Sequence, residues 1–328
     1  MRPMVRTWLT TAALFIATSS LAPAATFHLS HVLAPDDPVN VAALRYAEVV
    51  KEKTQGRVEI KVHPASSLSG LKDGVEGVRL GTVDISLPDS GTIGNWVSEI
   101  GLLNLPFMFA SWEHADRVYK NHVEKWYGAP IRQKVNAVLL SSAAVGFRVI
   151  LTTKKEVKTA ADLAGVKLRV PEIPVLIQTF RSVKANVSPI PWGESYTALQ
   201  TGVVEGIEGS PVALKGLRAY EVTKYAARTH HILLDTLTIM NARKFDQLSP
   251  EDQKVMREAA REIMGDWLFA QRRKAEDEAW QFIAQRIQAV EQPDMPAFRK
   301  AMEPVVAEFV QKNKLEAIYN ELRQAERN

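Results

Sequence analysis

The chain has 328 residues, a length that corresponds to about two domains. Its hydrophobic content of 46% and charged content of 24% are ordinary for a packed globular protein, so disordered, collagen-like and coiled-coil chains are excluded. It has no cysteine, which excludes disulfides, thiolate metal sites and a cysteine nucleophile. Lys and Arg outnumber Asp and Glu by 41 to 37, and this basic balance raises the question of a nucleic-acid partner.

The first 24 residues have the pattern of a secretory signal peptide. Arg2 and Arg6 accompany an apolar run over residues 8–21, and residues 22–24 read Ala-Pro-Ala, the small-residue spacing of a cleavage site. The run is shorter than the roughly 20 residues that a membrane span needs. Cleavage after Ala24 removes two arginines and no acid, which lowers the net charge from +4 to +2. We therefore expect an exported protein without a nucleic-acid partner.

The next stretch alternates strand and helix patterns. Residues 26–33, 57–62 and 82–87 alternate in the way that half-buried strands do. Asp37-Pro38 is typical of the N-cap and first residue of a helix, and a second helix is expected to end at Leu80. Strand–helix–strand spacing of this kind predicts βαβ units and a mainly parallel sheet.

The remaining chain continues in the same α/β manner. Further strands are predicted over residues 137–145, 147–151, 166–171, 187–190 and 232–240, with a helix over 173–184. From Ser249-Pro250 an amphipathic pattern extends well beyond the usual helix length, with Ile263, Trp267 and Ala270 as its apolar stripe. The tail after Pro296 predicts two short helices. Because no flexible linker separates two domains, we expect lobes joined by crossing strands.

No common catalytic motif occurs in the sequence. H-E-x-x-H, G-x-S-x-G, the P-loop lysine and G-x-G-x-x-G after a strand are all missing. The histidines form no pair at metal-ligand spacing on a helix, so neither a metal nor a cofactor is predicted. His31 is kept as a ligand-binding candidate, since it ends the first strand, where open α/β sheets bind ligands.

Two arginines stand in apolar strand segments. Arg148 follows Gly-Phe at the start of one strand, and Arg169 lies within Leu-Arg-Val-Pro in another. Burying an arginine is costly unless a carboxylate meets it. The partner is either internal, with Asp89, Glu172 and Glu208 as candidates, or the carboxylate of an anionic ligand, which the planar guanidinium fork matches.

Four segments, in order along nearly the whole mature chain, carry a family resemblance. Residues 162–171, D-L-A-G-V-K-L-R-V-P, and residues 194–206, E-S-Y-T-A-L-Q-T-G-V-V-E-G, resemble two characteristic segments of the solute-binding proteins of TRAP (tripartite ATP-independent periplasmic) transporters. Residues 81–84 and 105–109 are similar to two more. The resemblance implies an α/β protein with two lobes of the type II-like periplasmic binding protein kind, crossing hinge strands and a long helix in the C-terminal half.

The resemblance also implies ligand-binding roles for particular residues. Arg169 occupies the position of the arginine that binds the ligand carboxylate, and Arg148 matches a second pocket arginine. Trp192 falls where the family often places an aromatic ring against the ligand, and Asp89 and Ser90 match a polar pocket position.

The chain departs from the family after residue 206. The common Q-E-N-P is replaced by Ile207-Glu208-Gly209-Ser210-Pro211, which lacks the asparagine that meets the ligand. Ser210 and Glu208 are therefore the candidates there, with Glu208 also able to neutralise an arginine. Tyr196 is a further candidate, and helix packing is its alternative role.

These observations predict a non-enzymatic periplasmic protein that delivers a small organic acid to TRAP membrane subunits. We expect a signal peptide at 1–24, one lobe of 25–146 plus 234–273, a second of 147–233 plus 274–328, and a monomer or weak dimer. One alternative is the binding subunit of an ATP-driven importer or sensor. The other is an exported enzyme with Asp89 and Glu208 as acid and base. The two arginines suit a dicarboxylate, whereas Trp192 and Ile207 suit a larger monocarboxylate.

Overall fold

A computed structural model describes residues 25–326 of the chain. The predicted signal peptide lies outside the described residues. The strands are β1 (Ala25–Ser30), β2 (Val58–His63), β3 (Ile85–Ser86), β4 (Ala137–Phe147), β5 (Val149–Thr152), β6 (Lys167–Val170), β7 (Asn186–Pro189), β8 (Gly206–Gly209), β9 (Tyr225–Ala227), β10 (Leu233–Asn241) and β11 (Gln288–Val290).

Helices cover most of the chain between the strands. They are α1 (Pro38–Lys53), α2 (Leu71–Leu80), α3 (Ser90–Ile93), α4 (Trp112–Asn121), α5 (Val123–Val135), α6 (Pro174–Ser182), α7 (Ser195–Gln200), α8 (Pro211–Gly216), α9 (Ala242–Asp246), α10 (Pro250–Ala259), α11 (Leu268–Ala284), α12 (Met295–Asn313) and α13 (Glu316–Gln324). Within residues 25–326, no helix combines the length and apolarity needed to cross a bilayer. The α/β class predicted from the sequence is confirmed.

The strands form two separate sheets. The first has the order β2-β1-β3-β10-β4, and the second has the order β11-β9-β5-β8-β6-β7. Parallel pairs join β1 to β2 and β3 in the first sheet, and β6 to β7 and β8 in the second. The expected βαβ units are therefore present in both sheets.

The strands next to the crossings are antiparallel, which the prediction of a mainly parallel sheet missed. β4 and β10 pair antiparallel in the first sheet, and β5 pairs antiparallel with β8 and β9 in the second. The chain leaves the first sheet through β4 into β5 and returns from β9 into β10. Two neighbouring segments that cross in opposite directions must lie antiparallel, and the backbone N–H of Arg148 donates to the carbonyl of Ile232 at 2.8 Å where they cross.

The long helix predicted from Ser249-Pro250 is present, but its apolar stripe differs from the prediction. The Ser249 side chain caps α10, and the helix passes through a π-helical segment (Ala260–Trp267) into α11. Ala270 is exposed, and the buried face continues instead through Leu268. The wider π turn accommodates extra residues per turn and so shifts the phase of the stripe. Two polar residues of α11, Arg272 and Glu276, are thereby buried.

The core of the first lobe lies between its sheet and the helices that cover it. Tyr46 of α1, Met256 of α10 and Leu268 of α11 are fully buried and belong to one apolar cluster with Leu29 of β1. At roughly 1.5–3 kcal/mol for each large apolar side chain, this burial fixes the long helix against the first sheet. The helix continues beyond the crossing, where Trp280 packs with residues of the second sheet.

Candidate functional site

A cavity between the two sheets contains most of the predicted site residues. Its free space, including the open mouth, is about 600 Å³. Polar side chains on its wall are those of His31, Asp89, Arg148, Arg169, Trp192, Ser210, Asp235 and Thr236. Several of them follow the carboxyl ends of strands β1, β3 and β8, the edge at which open α/β sheets bind ligands.

Arg169 is a buried cation without an internal carboxylate partner. It lies in β6, is 1% exposed, and its Nε donates to the carbonyl of Ile190 at 2.8 Å. Within residues 25–326 no Asp or Glu oxygen approaches its guanidinium within 4.0 Å, and its centre lies 5.4 Å from the ring centroid of Trp192. Burial lowers the pKa of Arg169 to about 10, so the group is still charged at neutral pH. An unpaired buried charge is costly, and an anion in the cavity would offset that cost.

Arg148 also lines the cavity, but its charge is neutralised internally. Its Nε and Nη2 donate to the two carboxylate oxygens of Glu208, the Nη2 bond being 2.6 Å long. Burial opposes ionisation of Glu208, yet the charge of Arg148, the nearby His231 ring and the hydrogen bonds from Arg148 hold the pKa of Glu208 at about 2. The internal partner that the sequence left open is thus present for Arg148.

His231 lies behind this ion pair. Its Nε2 is 3.5 Å from a Glu208 oxygen, and its Nδ1 is 2.7 Å from the hydroxyl of Thr229. Burial lowers the pKa of His231, which favours the neutral ring at neutral pH. The ion pair and His231 therefore support the cavity wall without adding a net positive charge.

Two buried acids line the same cavity, and the sequence analysis singled out only one of them. Asp89 caps α3, and its Oδ1 accepts from the backbone N–H of Thr92 at 2.6 Å. Asp235 of β10 accepts from the backbone N–H of Ser90 at 3.0 Å and from the hydroxyl of Tyr119 at 2.8 Å. Burial, and then the charge of Asp89, raises the pKa of Asp235 to about 6. Asp235 stands within a run of apolar residues, the same signal that identified the arginines.

Ser210 and His31 also line the cavity, but both use their polar atoms internally. Ser210 caps α8, and its Oγ accepts from Nη2 of Arg272 at 2.9 Å. His31 accepts from the backbone N–H of Leu33 at Nδ1, and its Nε2 lies 3.0 Å from Oδ1 of Asn40. Burial lowers the pKa of His31, so its ring is neutral.

Three of the predicted site residues do not line the cavity. Glu208 is fully buried behind Arg148. The hydroxyl of Ser90 accepts from Asn104 at 2.6 Å. Ser90 is connected to the cavity wall through its backbone N–H, which donates to Asp235. The hydroxyl of Tyr196 donates to Glu221 at 3.3 Å.

The long helix reaches the site through Arg272, which sequence reasoning missed. Its Nη1 binds both oxygens of Asp37 at 2.9 and 2.8 Å, its Nε donates to the carbonyl of Val145 at 2.6 Å, and its Nη2 donates to Ser210. One fully buried guanidinium thus joins residues of both predicted lobes. The displaced apolar stripe of the π-helical segment concealed this position in the sequence.

Most of the chain is similar to a known protein family. Residues 29–313 match the family described as "Bacterial extracellular solute-binding protein, family 7". The 2,3-diketo-L-gulonate-binding periplasmic protein YiaO of Escherichia coli K12 is 32% identical over 258 residues, which cover 77% of this chain and 78% of that protein.

Solved structures agree with this match. A TRAP periplasmic solute binding protein of Chromohalobacter salexigens, with bound D-glucuronate, is 28% identical with a TM-score of 0.86, covering 91% of this chain and 99% of that one. A TRAP periplasmic solute binding protein of Sulfurospirillum deleyianum, with bound succinate, is 26% identical with a TM-score of 0.85, covering 91% and 98%.

Two α/β lobes around an interlobe cavity with a buried cation define an extracytoplasmic solute-binding protein. The chain belongs to the bacterial extracellular solute-binding protein family 7. The predicted resemblance to TRAP solute-binding proteins and the predicted two-lobe fold are thereby confirmed. The extracellular location that the family description gives agrees with the export expected from the sequence. Within residues 25–326, no group of three or more His, Asp or Glu side chains is arranged to hold a metal ion.

Proposed function

We propose that this protein captures a small organic acid in the cavity between its lobes and releases it, chemically unchanged, to the membrane subunits of a TRAP transporter. The observation that carries the proposal is the buried guanidinium of Arg169, which lines the cavity and has no carboxylate partner among residues 25–326. A carboxylate placed there gains two charge-assisted hydrogen bonds in the planar geometry that arginine favours.

The charged groups around Arg169 favour a ligand with a small negative charge. Arg148 already shares its charge with Glu208, and Asp89 and Asp235 add negative charge to the wall. In a low-dielectric cavity these charges act strongly on a bound ligand. Arg169 is therefore the ligand's principal electrostatic contact, and Trp192 lies against that contact.

We further propose that the lobes, 25–146 plus 234–273 and 147–233 plus 274–328, move relative to each other around the ligand. The paired crossings at residues 146–148 and 231–233 and the continuous long helix support this arrangement. Contacts that a ligand makes with both lobes stabilise the closed state, and only such differential contacts shift the equilibrium. Arg169 is carried by the second sheet, whereas Asp89 and Asp235 belong to the first lobe.

The proposal of a non-enzymatic role rests on the contacts that Glu208 already makes inside the protein. Glu208, one half of the conceivable acid–base pair, has both oxygens bound by Arg148 and lies behind the cavity wall. A carboxylate with a pKa near 2 that cannot reach the ligand is a poor general acid or base at neutral pH. Asp89 therefore lacks the partner that the enzymatic alternative required.

Pairs of carboxylic acids and their primary amides test this proposal. The melting temperature of the mature protein is measured with each acid and its amide, for example 4-methylpentanoate and 4-methylpentanamide, across a panel that includes sugar acids and dicarboxylates. We expect at least one acid, but not its amide, to raise the melting temperature, by the equivalent of about 2.7 kcal/mol when its concentration is 100 times Kd. Recovery of that acid unchanged by NMR supports a non-enzymatic role. Equal shifts by acid and amide, or conversion of the acid, would overturn the proposal.

A further inference from the structure

The walls of the cavity around Arg169 are mainly aliphatic. The apolar side chains that line it are Val32, Leu33, Val39, Leu71, Leu87, Val145, Pro171, Ala213 and Leu234. Hydroxyl groups placed against such a wall give up their hydrogen bonds to water and gain none in return, which is unfavourable. The wall is therefore suited to a ligand whose body is hydrocarbon.

The charges of the cavity match one carboxylate and not two. Of the two arginines on the wall, Arg148 is held by Glu208, which leaves Arg169 to pair with the ligand. His31 is neutral, because burial lowers its pKa and both ring nitrogens have internal partners. A second ligand carboxylate would find no free cation on the wall, as far as residues 25–326 form it, and would lie near Asp89 or Asp235. Like charges in a cavity of low dielectric repel strongly.

Asp89 also offers a hydrogen-bond acceptor to a ligand in the cavity. Asp89 is 6% exposed, and its Oδ1 accepts from Thr92, whereas its Oδ2 accepts no hydrogen bond from any residue within 25–326. The hydroxyl of Thr236 on the same wall is buried and has no hydrogen-bond partner in the described part of the chain. Buried polar atoms are normally hydrogen-bonded, so the unpaired hydroxyl of Thr236, together with the Asp89 oxygen on the cavity wall, points to a ligand that carries a polar group beside its carboxylate.

We propose that the solute is a monocarboxylate with a largely hydrocarbon body and one hydroxyl group beside the carboxylate, in preference to a dicarboxylate or a polyhydroxylated sugar acid. This inference rests on the proposed function and narrows its ligand class. The carboxylate pairs with Arg169, the hydroxyl donates to Asp89, and the hydrocarbon lies against the aliphatic wall.

Four probes test this inference by isothermal titration calorimetry. They are 2-hydroxy-4-methylpentanoate, 4-methylpentanoate, succinate and D-glucuronate. We expect the hydroxy acid to bind about tenfold more tightly than its deoxy analogue, since it adds a hydrogen bond to a charged group. Succinate and glucuronate should bind about 100-fold more weakly than the hydroxy acid, because their extra polar groups remain unpaired against the aliphatic wall.

The substitution Asp89→Asn tests the role of the free carboxylate oxygen. Asparagine still caps α3 through its oxygen but presents an NH₂ group to the cavity. We expect the preference for the hydroxy acid over its deoxy analogue to disappear and the affinity for succinate to rise. Asp294→Asn is the matched control, since Asp294 is an exposed N-cap of α12 outside the cavity. The ratio of two affinities within one variant does not depend on its stability.

The outcomes separate this inference from the proposed function. If a dicarboxylate or a sugar acid is the tightest ligand of the whole panel, the inference is wrong and the proposed function stands. Equal affinities for the hydroxy acid and its deoxy analogue, or an unchanged ratio in Asp89→Asn, overturn the role of Asp89. If no carboxylate binds at all, the proposed function fails, and the inference fails with it.

Discussion

At the scale of single residues, the two cavity arginines have opposite roles despite similar sequence surroundings. Arg148 and Arg169 both stand in apolar strand segments, and each had an internal carboxylate as its alternative partner. The structure pairs Arg148 with Glu208 and leaves Arg169 without an acid within 4.0 Å among residues 25–326. The difference depends on which strands are neighbours, since β5 lies beside β8 and places Ile150 opposite Glu208. The one-dimensional sequence does not contain that pairing.

Glu208→Gln tests whether Glu208 stabilises the fold through Arg148. The substitution leaves a buried guanidinium without its counter-charge, and we expect the free energy of unfolding at pH 7 to fall by about 3–5 kcal/mol. Glu205→Gln is the control, because its partner Lys154 is exposed and such pairs contribute about 1 kcal/mol or less. Urea denaturation of both variants measures the difference. Equal losses would show that Glu208 is not coupled to Arg148 in this way.

The stabilisation by Glu208 also has a predicted pH dependence. Its pKa is lowered to about 2 in the folded protein, against an ordinary value of 4.5. The stabilising effect of its charge is therefore fully present above about pH 4.5 and is lost as the pH falls towards 2. The difference in stability between the parent protein and Glu208→Gln should narrow over that interval.

The raised pKa of Asp235 leads us to expect that ligand binding is coupled to proton uptake. Burial and Asp89 raise the pKa of Asp235 to about 6, and an anionic ligand in the same cavity adds negative charge that raises it further. The free protein is mostly ionised at this site at pH 7, so binding takes up a proton, and affinity rises as the pH falls from 8 to 6.

Calorimetry in two buffers of different ionisation enthalpy, at pH 6.5, measures this proton uptake with the tightest acid of the panel. Asp235→Asn should abolish it. Proton release on binding by the parent protein, or an unchanged uptake in the variant, would contradict the assignment.

At the scale of secondary-structure elements, the crossing between the two sheets involves one glycine and one helix. Gly146, the second-last residue of β4, has a φ of +143°, a conformation that residues with a side chain rarely adopt. A Cβ at this position would collide with a carboxylate oxygen of Glu276 on α11. That same Glu276 oxygen accepts from the backbone N–H of Phe147 at 2.8 Å, so the crossing chain and the long helix are in direct contact.

Gly146→Ala is therefore expected to destabilise the protein by about 3 kcal/mol, the upper range for a strained backbone, because Glu276 must also move. Gly165→Ala is the control, since Gly165 has a φ of +76° and a Cβ added there would meet no atom within 4 Å among the described residues, so strain alone acts. We expect the control to cost about 1 kcal/mol. Thermal or urea denaturation measures both. A smaller loss for Gly146→Ala than for Gly165→Ala would contradict the described contact.

Much of the element order could be predicted from the sequence, and the exceptions have physical causes. Local signals predicted several elements correctly. Helices begin after the N-caps Asp37 and Ser249, and β6 forms where the sequence alternates. Helices α4 and α5 were not predicted. The shifted face of the long helix also escaped prediction, since a π-helical segment leaves no distinct pattern in one sequence.

At the scale of the whole molecule, the function depends on two lobes that share one cavity. The second sheet supplies Arg169, and the first lobe supplies Asp89, so a ligand bound to both residues would connect the lobes. Arg272 also connects the lobes, because its guanidinium binds Asp37 and the carbonyl of Val145 in the first and Ser210 in the second. The sheet order determines that Arg169, Asp89 and Ser210 lie around one cavity. The sequence motifs identified these residues as candidates but could not give the distances between them.

The most direct test of the account is the affinity of Arg169→Lys for the tightest acid of the panel. Lysine keeps the charge but lacks the planar fork, and Arg181→Lys on the exposed face of α6 is the matched control. Arg169→Met serves as a second variant, and its melting temperature without ligand should not fall, because an unpaired buried charge is removed.

Calorimetry should show that Arg181→Lys binds like the parent protein. Arg169→Lys should bind at least about tenfold more weakly, and Arg169→Met should lose about 2–5 kcal/mol of binding free energy. An affinity of Arg169→Met equal to that of the parent protein would contradict the central claim that Arg169 holds the ligand's carboxylate.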